Sequence, residues 1–417
     1  MKTVRFFTLG CKVNQYDTQS IREAFLGKGF REASAKEIPG YYFINTCTVT
    51  ASADKKSCNI IRRCVKTIPK SKVIVTGCMV KKDSGRLSKI KGIDLIINRS
   101  FFPERISDFS SHTRAFLKVQ DGCNNFCSYC KVPKVRGVSR SRKPGEIIEE
   151  ADRLAKRGFK EIVLTGICLG AYGQDLKPKT DLACLVKRLE NVGGILRIRL
   201  SSIEANDVSD DLIKLISISK KLCPHLHIPI QSGDDRILKR MNRKYTSKDY
   251  LALISKLNKK NPDIAITTDV LVGFPGEEEV NFKNTIRLIK KIRPLKVHIF
   301  PYSKREGTEA AVFDNLICGS EIKERVSELK KLSAQLGRSY WNKFNNKEKC
   351  VLIEAGLKNK PGYWEGFTDN YLRVTVKSDY NLKNRLILLK LNKLSTEYSF
   401  KEKGKFYLTR NLSSTKI

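Results

Sequence analysis

No stretch of this chain reaches the roughly 18 consecutive apolar residues needed to cross a bilayer, which excludes a helical integral membrane protein. Low-complexity tracts and periodic repeats are also missing, so neither a disordered protein nor a repeat solenoid is expected. The opening segment, Met1-Lys-Thr-Val-Arg-Phe-Phe-Thr, lacks a long apolar core and a cleavage site. It reads as a strand rather than a signal peptide, and the expected location is cytoplasmic. Acidic side chains are scarce. Against 80 Lys and Arg stand 43 Asp and Glu, a formal charge of +37. Such an excess favours a polyanionic partner, with nucleic acid the first choice. The alternative is a lysine-rich surface with no partner in mind.

Cysteine is not scarce. Thirteen cysteines in a cytosolic chain point to metal or redox chemistry before disulfides. Cys123, Cys127 and Cys130 fall within Gly122-Cys-Asn-Asn-Phe-Cys-Ser-Tyr-Cys130, a C-x3-C-x2-C spacing with no evident fourth ligand. Zinc prefers four protein ligands, whereas a [4Fe–4S] cluster held by three thiolates keeps one iron open to a small molecule. A zinc site completed by a distant residue is the competing reading. A second set, Cys11, Cys47 and Cys78, follows three apolar strands directly. The carboxyl ends of parallel strands lie side by side, so these thiols converge as a second three-cysteine cluster site. Gly10 and Gly77 precede two of them and permit close backbone approach. Cys58, Cys64, Cys168, Cys184, Cys223, Cys318 and Cys350 read as small core residues.

The pattern predicts an α/β chain of three parts. Residues 1–105 carry strands at Thr3–Gly10, Tyr41–Cys47, Lys72–Cys78 and Leu95–Asn98, with helices over Asn14–Lys28 and Ala51–Ile68, as in a parallel sheet. Residues 113–343 carry six further strand–helix units, which predict a partial (β/α)6 barrel open on one side. Its strands are Phe116–Gln120, Glu161–Gly166, Arg197–Ser202, His225–Ile230, Ile264–Phe274 and Lys296–Tyr302, and Ser320–Phe344 is a long amphipathic helix. Residues 346–412 break into short strands, Lys349–Glu354, Tyr371–Lys377, Arg385–Leu391 and Lys405–Thr409, as in a small antiparallel β-barrel. The C-terminal 77 residues hold 16 Lys and Arg against 7 Asp and Glu, with Tyr363, Trp364, Phe367 and Tyr371 near predicted turns. Charge plus exposed rings suits RNA, although some of these rings must be core. Lys131, Lys134, Arg136, Arg140, Arg142 and Lys143 form a run without acid, read either as a solvated face or as a guide for RNA phosphates.

Two three-cysteine sets followed by a small β-barrel resemble the radical S-adenosylmethionine (SAM) methylthiotransferases over essentially the full length. Further matches are His227-Ile-Pro-Ile-Gln231, Arg199-Leu-Ser-Ser202-Ile-Glu204, Thr165-Gly166 through Tyr172-Gly173, and Gly273-Phe-Pro-Gly-Glu277. The resemblance implies an N-terminal methylthiotransferase domain, a radical-SAM barrel and a C-terminal TRAM domain that binds RNA. It implies SAM and two [4Fe–4S] clusters, one on Cys123, Cys127 and Cys130 and one on Cys11, Cys47 and Cys78. Tyr129 matches the position beside the adenine of SAM. Ser202, Glu204 and Gln231 would contact SAM or merely build the barrel rim. The first cluster would reduce SAM, giving a radical that abstracts hydrogen; the second would hold the sulfur transferred, which a second SAM methylates. No catalytic residue beyond the cluster ligands is assigned. Implied partners are tRNA, a reducing electron donor and a sulfur donor, with no DNA and no membrane.

Thr8-Leu-Gly-Cys-Lys-Val-Asn-Gln-Tyr-Asp17 and Asn45-Thr-Cys-Thr-Val-Thr50 most resemble the branch acting on N6-threonylcarbamoyladenosine at tRNA position 37. The isopentenyladenosine branch typically has Gly-Cys-Gln-Met-Asn at the first site, and the ribosomal-protein aspartate branch Gly-Cys-x-Lys-Asn. An iron–sulfur RNA-binding protein without catalysis is the reading from a different class.

Overall fold

The computed structural model describes residues 2–67, 71–80, 84–109, 112–392 and 397–399. Its N-terminal part is a five-stranded, wholly parallel sheet of β1 (Thr3–Thr8), β2 (Arg31–Glu32), β3 (Tyr41–Thr46), β4 (Lys72–Gly77) and β5 (Leu95–Ile96), in the order β2-β1-β3-β4-β5. Alternation sends neighbouring side chains to opposite faces. Tyr42, Ile44, Val73 and Val75 therefore pack on one side with Ile61, while Val4, Phe43 and Ile74 pack on the other with Ile21. Both faces are covered, which is why these strands read as continuous apolar runs.

The central part follows the expected strand–helix alternation. β6 (Arg114–Lys118) leads to a two-stranded ladder of β7 (Gln120–Asp121) and β8 (Arg140–Ser141) that closes off the cysteine loop. β9 (Glu161–Thr165) lies between β6 and β10 (Arg197–Leu200), all parallel. β11 (His225–His227), β12 (Ala265–Val272) and β13 (Lys296–Pro301) form a second parallel triplet. Between β10 and β11 pairing is reduced to two bridges, Ile198 with Leu222 and Ser202 with His227. The six strands thus curve as two arcs around one apolar core shared with the outer helices.

The helix over Gly319–Asn342 leads into a C-terminal half-barrel: β14 (Glu348–Gly356), β15 (Tyr363–Thr368), β16 (Arg373–Lys377), β17 (Leu386–Lys390) and β18 (Glu397–Ser399), ordered β17-β14-β15-β16-β18. All pairs are antiparallel except β16 with β18. Among the described residues β17 and β18 are not paired with each other, and these five strands form the half-barrel part of the small β-barrel expected. The strand expected over Lys405–Thr409 lies outside the described residues.

β15 runs through Tyr363, Trp364 and Phe367, rings expected near turns. Tyr371 does sit in a turn, with a left-handed φ of 69°. Its ring nevertheless faces the protein, stacked on His225 at 4.5 Å and Phe367 at 5.0 Å, with the Arg199 guanidinium 4.8 Å away. Arg114, Arg197 and His225 open β6, β10 and β11, so this half-barrel caps the base of the large barrel, opposite its mouth. Arg114 pairs with Glu354, and Arg199 donates to the carbonyls of Thr368 and Asp369. The basic run after the cysteine loop is half internal. Lys131, Arg136 and Arg142 are buried, while Lys134, Arg140 and Lys143 are exposed.

Candidate functional site

Parallel pairing fixes the first set of thiols. Thr8 lies opposite Asn45, and Thr46 opposite Gly77. The three strands therefore end level, and Cys11, Cys47 and Cys78 follow at one edge. Cys11 is the N-cap of the helix over Lys12–Gly27, which starts two residues earlier than its apolar pattern predicts. Gly10 and Gly77 both hold φ at 102°, a conformation L side chains rarely adopt. A Cβ on Gly10 would lie 2.9 Å from both Cβ and Sγ of Cys47, and one on Gly77 only 2.4 Å from the Thr46 carbonyl. Glycine at each position lets the strand ends close up. Asn14 ties the edge together by donating Nδ2 to the carbonyls of Leu9 (2.6 Å) and Thr46 (3.0 Å).

Burial pushes the Cys47 thiol up to about 11 and raises that of Cys78, the latter opposed by the charge of Arg136. Neighbouring thiols raise both further, so the three sulfurs feel one another as like charges. A metal cluster would reverse this preference, because its ligands bind as thiolates.

The second set lies on the loop after β7, at the carboxyl end of β6. Gly122 at φ 75° is required here, since a Cβ would meet the Val138 carbonyl at 1.9 Å. The Cys123 amide donates to the Gly137 carbonyl at 3.1 Å, and the Cys130 amide to Cys127 at 3.0 Å. Burial raises Cys127 and lifts Cys130 to about 12, whereas a hydrogen bond from Cys168 brings Cys123 down to about 7.

Of the expected SAM contacts, Glu204 is brought to the cysteine loop. With Cys127, Asn125, Asp207, Asn242 and Arg243 it lines a polar cleft. Tyr129 turns its ring edge to Phe274 at 6.4 Å, next to that cleft. Ser202 and Gln231 lie at strand ends: Ser202 bridges to His227 through its backbone, and Gln231, at φ 69°, donates its backbone amide to the Asp269 carbonyl. His225 and His227 both bond Thr267 Oγ1, at 3.0 and 2.9 Å, which fits barrel packing.

Three residues were missed. Arg243 donates Nη1 to Cys127 Sγ (3.4 Å) and to Glu204 (3.2 Å), and bonds the Tyr245 hydroxyl and Pro229 carbonyl. Arg136 donates Nε to Cys78 Sγ at 3.3 Å. Each cysteine set thus receives one buried arginine donor, and no spacing rule signals either. Cys168 is not an idle core cysteine: its thiol lies 3.5 Å from both Asn125 Nδ2 and Asp207 Oδ2, beside Cys123. Cys184 and Cys318 are exposed rather than core.

The two sheets meet across these sites. Arg305, beyond β13, reaches the Thr48 carbonyl at 2.7 Å and Asp54 at 2.8 Å, next to Cys47. Lys118 pairs with Asp17 at 2.6 Å, and Tyr16 joins Arg142 and Glu150. No helix among the described residues is long and apolar enough to cross a membrane.

Residues 117–289 match the Radical SAM superfamily, and residues 3–98 match a family described as the uncharacterized protein family UPF0004. The threonylcarbamoyladenosine tRNA methylthiotransferase MtaB of Bacillus subtilis is 38% identical, covering 96% of each chain. Its namesake from Thermotoga maritima is 36% identical, over 89% of this chain and 91% of that one. The tRNA-2-methylthio-N(6)-dimethylallyladenosine synthase of Acetivibrio thermocellus is 34% identical over 93% and 88%. In fold the chain is similar to the radical SAM methyltransferase TsrM from Kitasatospora setae, at TM-score 0.53 and 12% identity over 75% of this chain and 77% of that one. With relatives of this identity over almost its whole length, and both cysteine sets present, the chain belongs to the radical-SAM methylthiotransferase family.

Proposed function

We propose that this enzyme methylthiolates C2 of N6-threonylcarbamoyladenosine at position 37 of tRNA, giving 2-methylthio-N6-threonylcarbamoyladenosine. The observation that carries the reading is the pair of three-thiol sets, one at the level ends of three parallel strands and one on the loop after β7, in a chain whose relatives named for this base are up to 38% identical. It uses SAM and two [4Fe–4S] clusters, one on Cys123, Cys127 and Cys130 and the other on Cys11, Cys47 and Cys78. Both donor sets fit such a group: three soft thiolates each, strand ends opened by glycine, and an arginine aimed at one sulfur. When bound, these groups supply the one-electron and sulfur chemistry that no side chain can provide against an unreactive C–H bond.

The chain's own residues hold and aim. Glu204 and Arg243 form one polar wall of the cleft beside Cys127, suited to the charged methionine end of SAM, with Tyr129 packing close by. Ser202 and Gln231 fix the rim that carries them. The half-barrel assigned to residues 346–412 adds RNA affinity through its net positive charge. A reducing electron donor and a sulfur donor complete the cycle.

Reconstituted enzyme offered tRNA with each precursor base tests the substrate. Product mass on the threonylcarbamoyl tRNA is expected. Methylthiolation confined to isopentenyladenosine would overturn the substrate and keep the reaction class.

A further inference from the structure

We infer that Arg136 is a positioning residue: its guanidinium hydrogen-bonds the Cys78 sulfur and sets the reduction potential of the cluster on Cys11, Cys47 and Cys78. The inference rests on that cluster being present, as proposed above.

Arg136 closes the short helix Val132–Arg136, only six residues beyond Cys130. The helix stops at Gly137, at φ 84°, whose carbonyl takes the Cys123 amide. The arginine is therefore anchored by the backbone of one cysteine loop while its side chain crosses to the other set. It is 6% exposed. Nε donates to Cys78 Sγ at 3.3 Å. Nη1 meets Asp121 at 3.1 Å and Asp17 at 3.3 Å. Nη2 bonds Asn14 Oδ1, on the same amide that pins the strand ends before Cys11 and Cys47. One planar fork thus fixes three directions at once, which a lysine ammonium on its flexible stem does not reproduce.

A buried cation requires counter-charge. Asp17 and Asp121 provide it only in part, since Lys118 binds Asp17 at 2.6 Å and Arg99 binds Asp121 at 2.7 Å. The remaining field of Arg136 falls on Cys78. Potentials of iron–sulfur clusters depend on hydrogen bonds to their sulfurs and on local charge. The reduced form carries one more negative charge, so a cationic donor favours it and raises the potential. Asp121, competing for the same guanidinium, has the opposite effect.

The test uses full-length protein in which Cys123, Cys127 and Cys130 are alanine, so that one cluster remains. Iron content and an anaerobic EPR-monitored redox titration are measured for this parent, for Arg136→Gln and for the isosteric Asp121→Asn. Arg136→Gln should lower the reduced-to-oxidised ratio at fixed poise at least tenfold, about 59 mV for a one-electron couple. Asp121→Asn should move it the other way. If Arg136→Gln fails to fold or load, Asp121→Asn alone decides, through an upward shift or none. A parent without iron refutes the second cluster, and the inference with it. Iron present and both potentials unmoved refute the role of Arg136 alone.

Discussion

Replacing Tyr371 by alanine removes a ring that joins the C-terminal half-barrel to the base of the large barrel. Its face stacks on His225 at 4.5 Å and on Phe367 at 5.0 Å, each 22° from parallel. Two such contacts contribute about 0.5–1.5 kcal/mol each beyond buried area. The guanidinium of Arg199, 4.8 Å from the ring, adds about 1 kcal/mol, since the arginine is buried while the ring is only partly so. The expected loss is therefore about 3 kcal/mol, roughly a hundredfold in the unfolding equilibrium. Backbone conformation supplies an internal control. At φ 69° alanine is strained and glycine is not, so Tyr371→Gly should be about 1 kcal/mol more stable than Tyr371→Ala despite having less side chain. Anaerobic urea denaturation of the loaded variants measures both differences, and filter binding of tRNA runs beside it. Unchanged stability in Tyr371→Ala, together with weakened tRNA binding, would refute the packing role and return this ring to RNA stacking.

Alanine at Cys123, Cys127 and Cys130 should remove half of about eight irons and all SAM cleavage, whereas alanine at Cys11, Cys47 and Cys78 should remove the other half and leave cleavage intact. Loss of both clusters from either triple variant, read by iron analysis, contradicts two independent sites. His225 is buried, and burial first, then the nearby Arg199 charge, holds its pKa well below the ordinary value. The folded state thus favours the neutral ring, so its contribution to stability is whole above the unfolded pKa of about 6.5 and falls as the pH drops below it, by up to about 1.4 kcal/mol per pH unit. Denaturation curves between pH 7.5 and 5.5 should be less steep in pH for His225→Asn than for the parent; equal slopes would mean that the ring protonates freely in place.

Local signals decided much of this molecule. Short apolar strands alternating with helices specify parallel sheets, because only backbone buried on both faces reads as a continuous apolar run. The C-x3-C-x2-C loop gathers three thiols by spacing alone. Cys11, Cys47 and Cys78 were legible for a different reason: each follows a strand directly, and parallel register must bring such positions together. The second strand of the half-barrel, β15, was not legible, since Tyr363-Trp-Glu-Gly-Phe-Thr368 contains a glycine and follows a Pro-Gly turn, both of which weaken a strand pattern. Long-range partners were beyond the sequence altogether. A lysine- and arginine-rich run looks the same whether it faces solvent or closes a buried pair. Only the tertiary structure sends Arg136 to Asp17, Asp121 and Cys78, Arg142 to Glu150, and Arg243 to Cys127 and Glu204, because their acceptors lie on other elements, mostly far along the chain. The cysteines and their spacing are properties of the chain; which arginine faces which sulfur is a property of how the sheets dock.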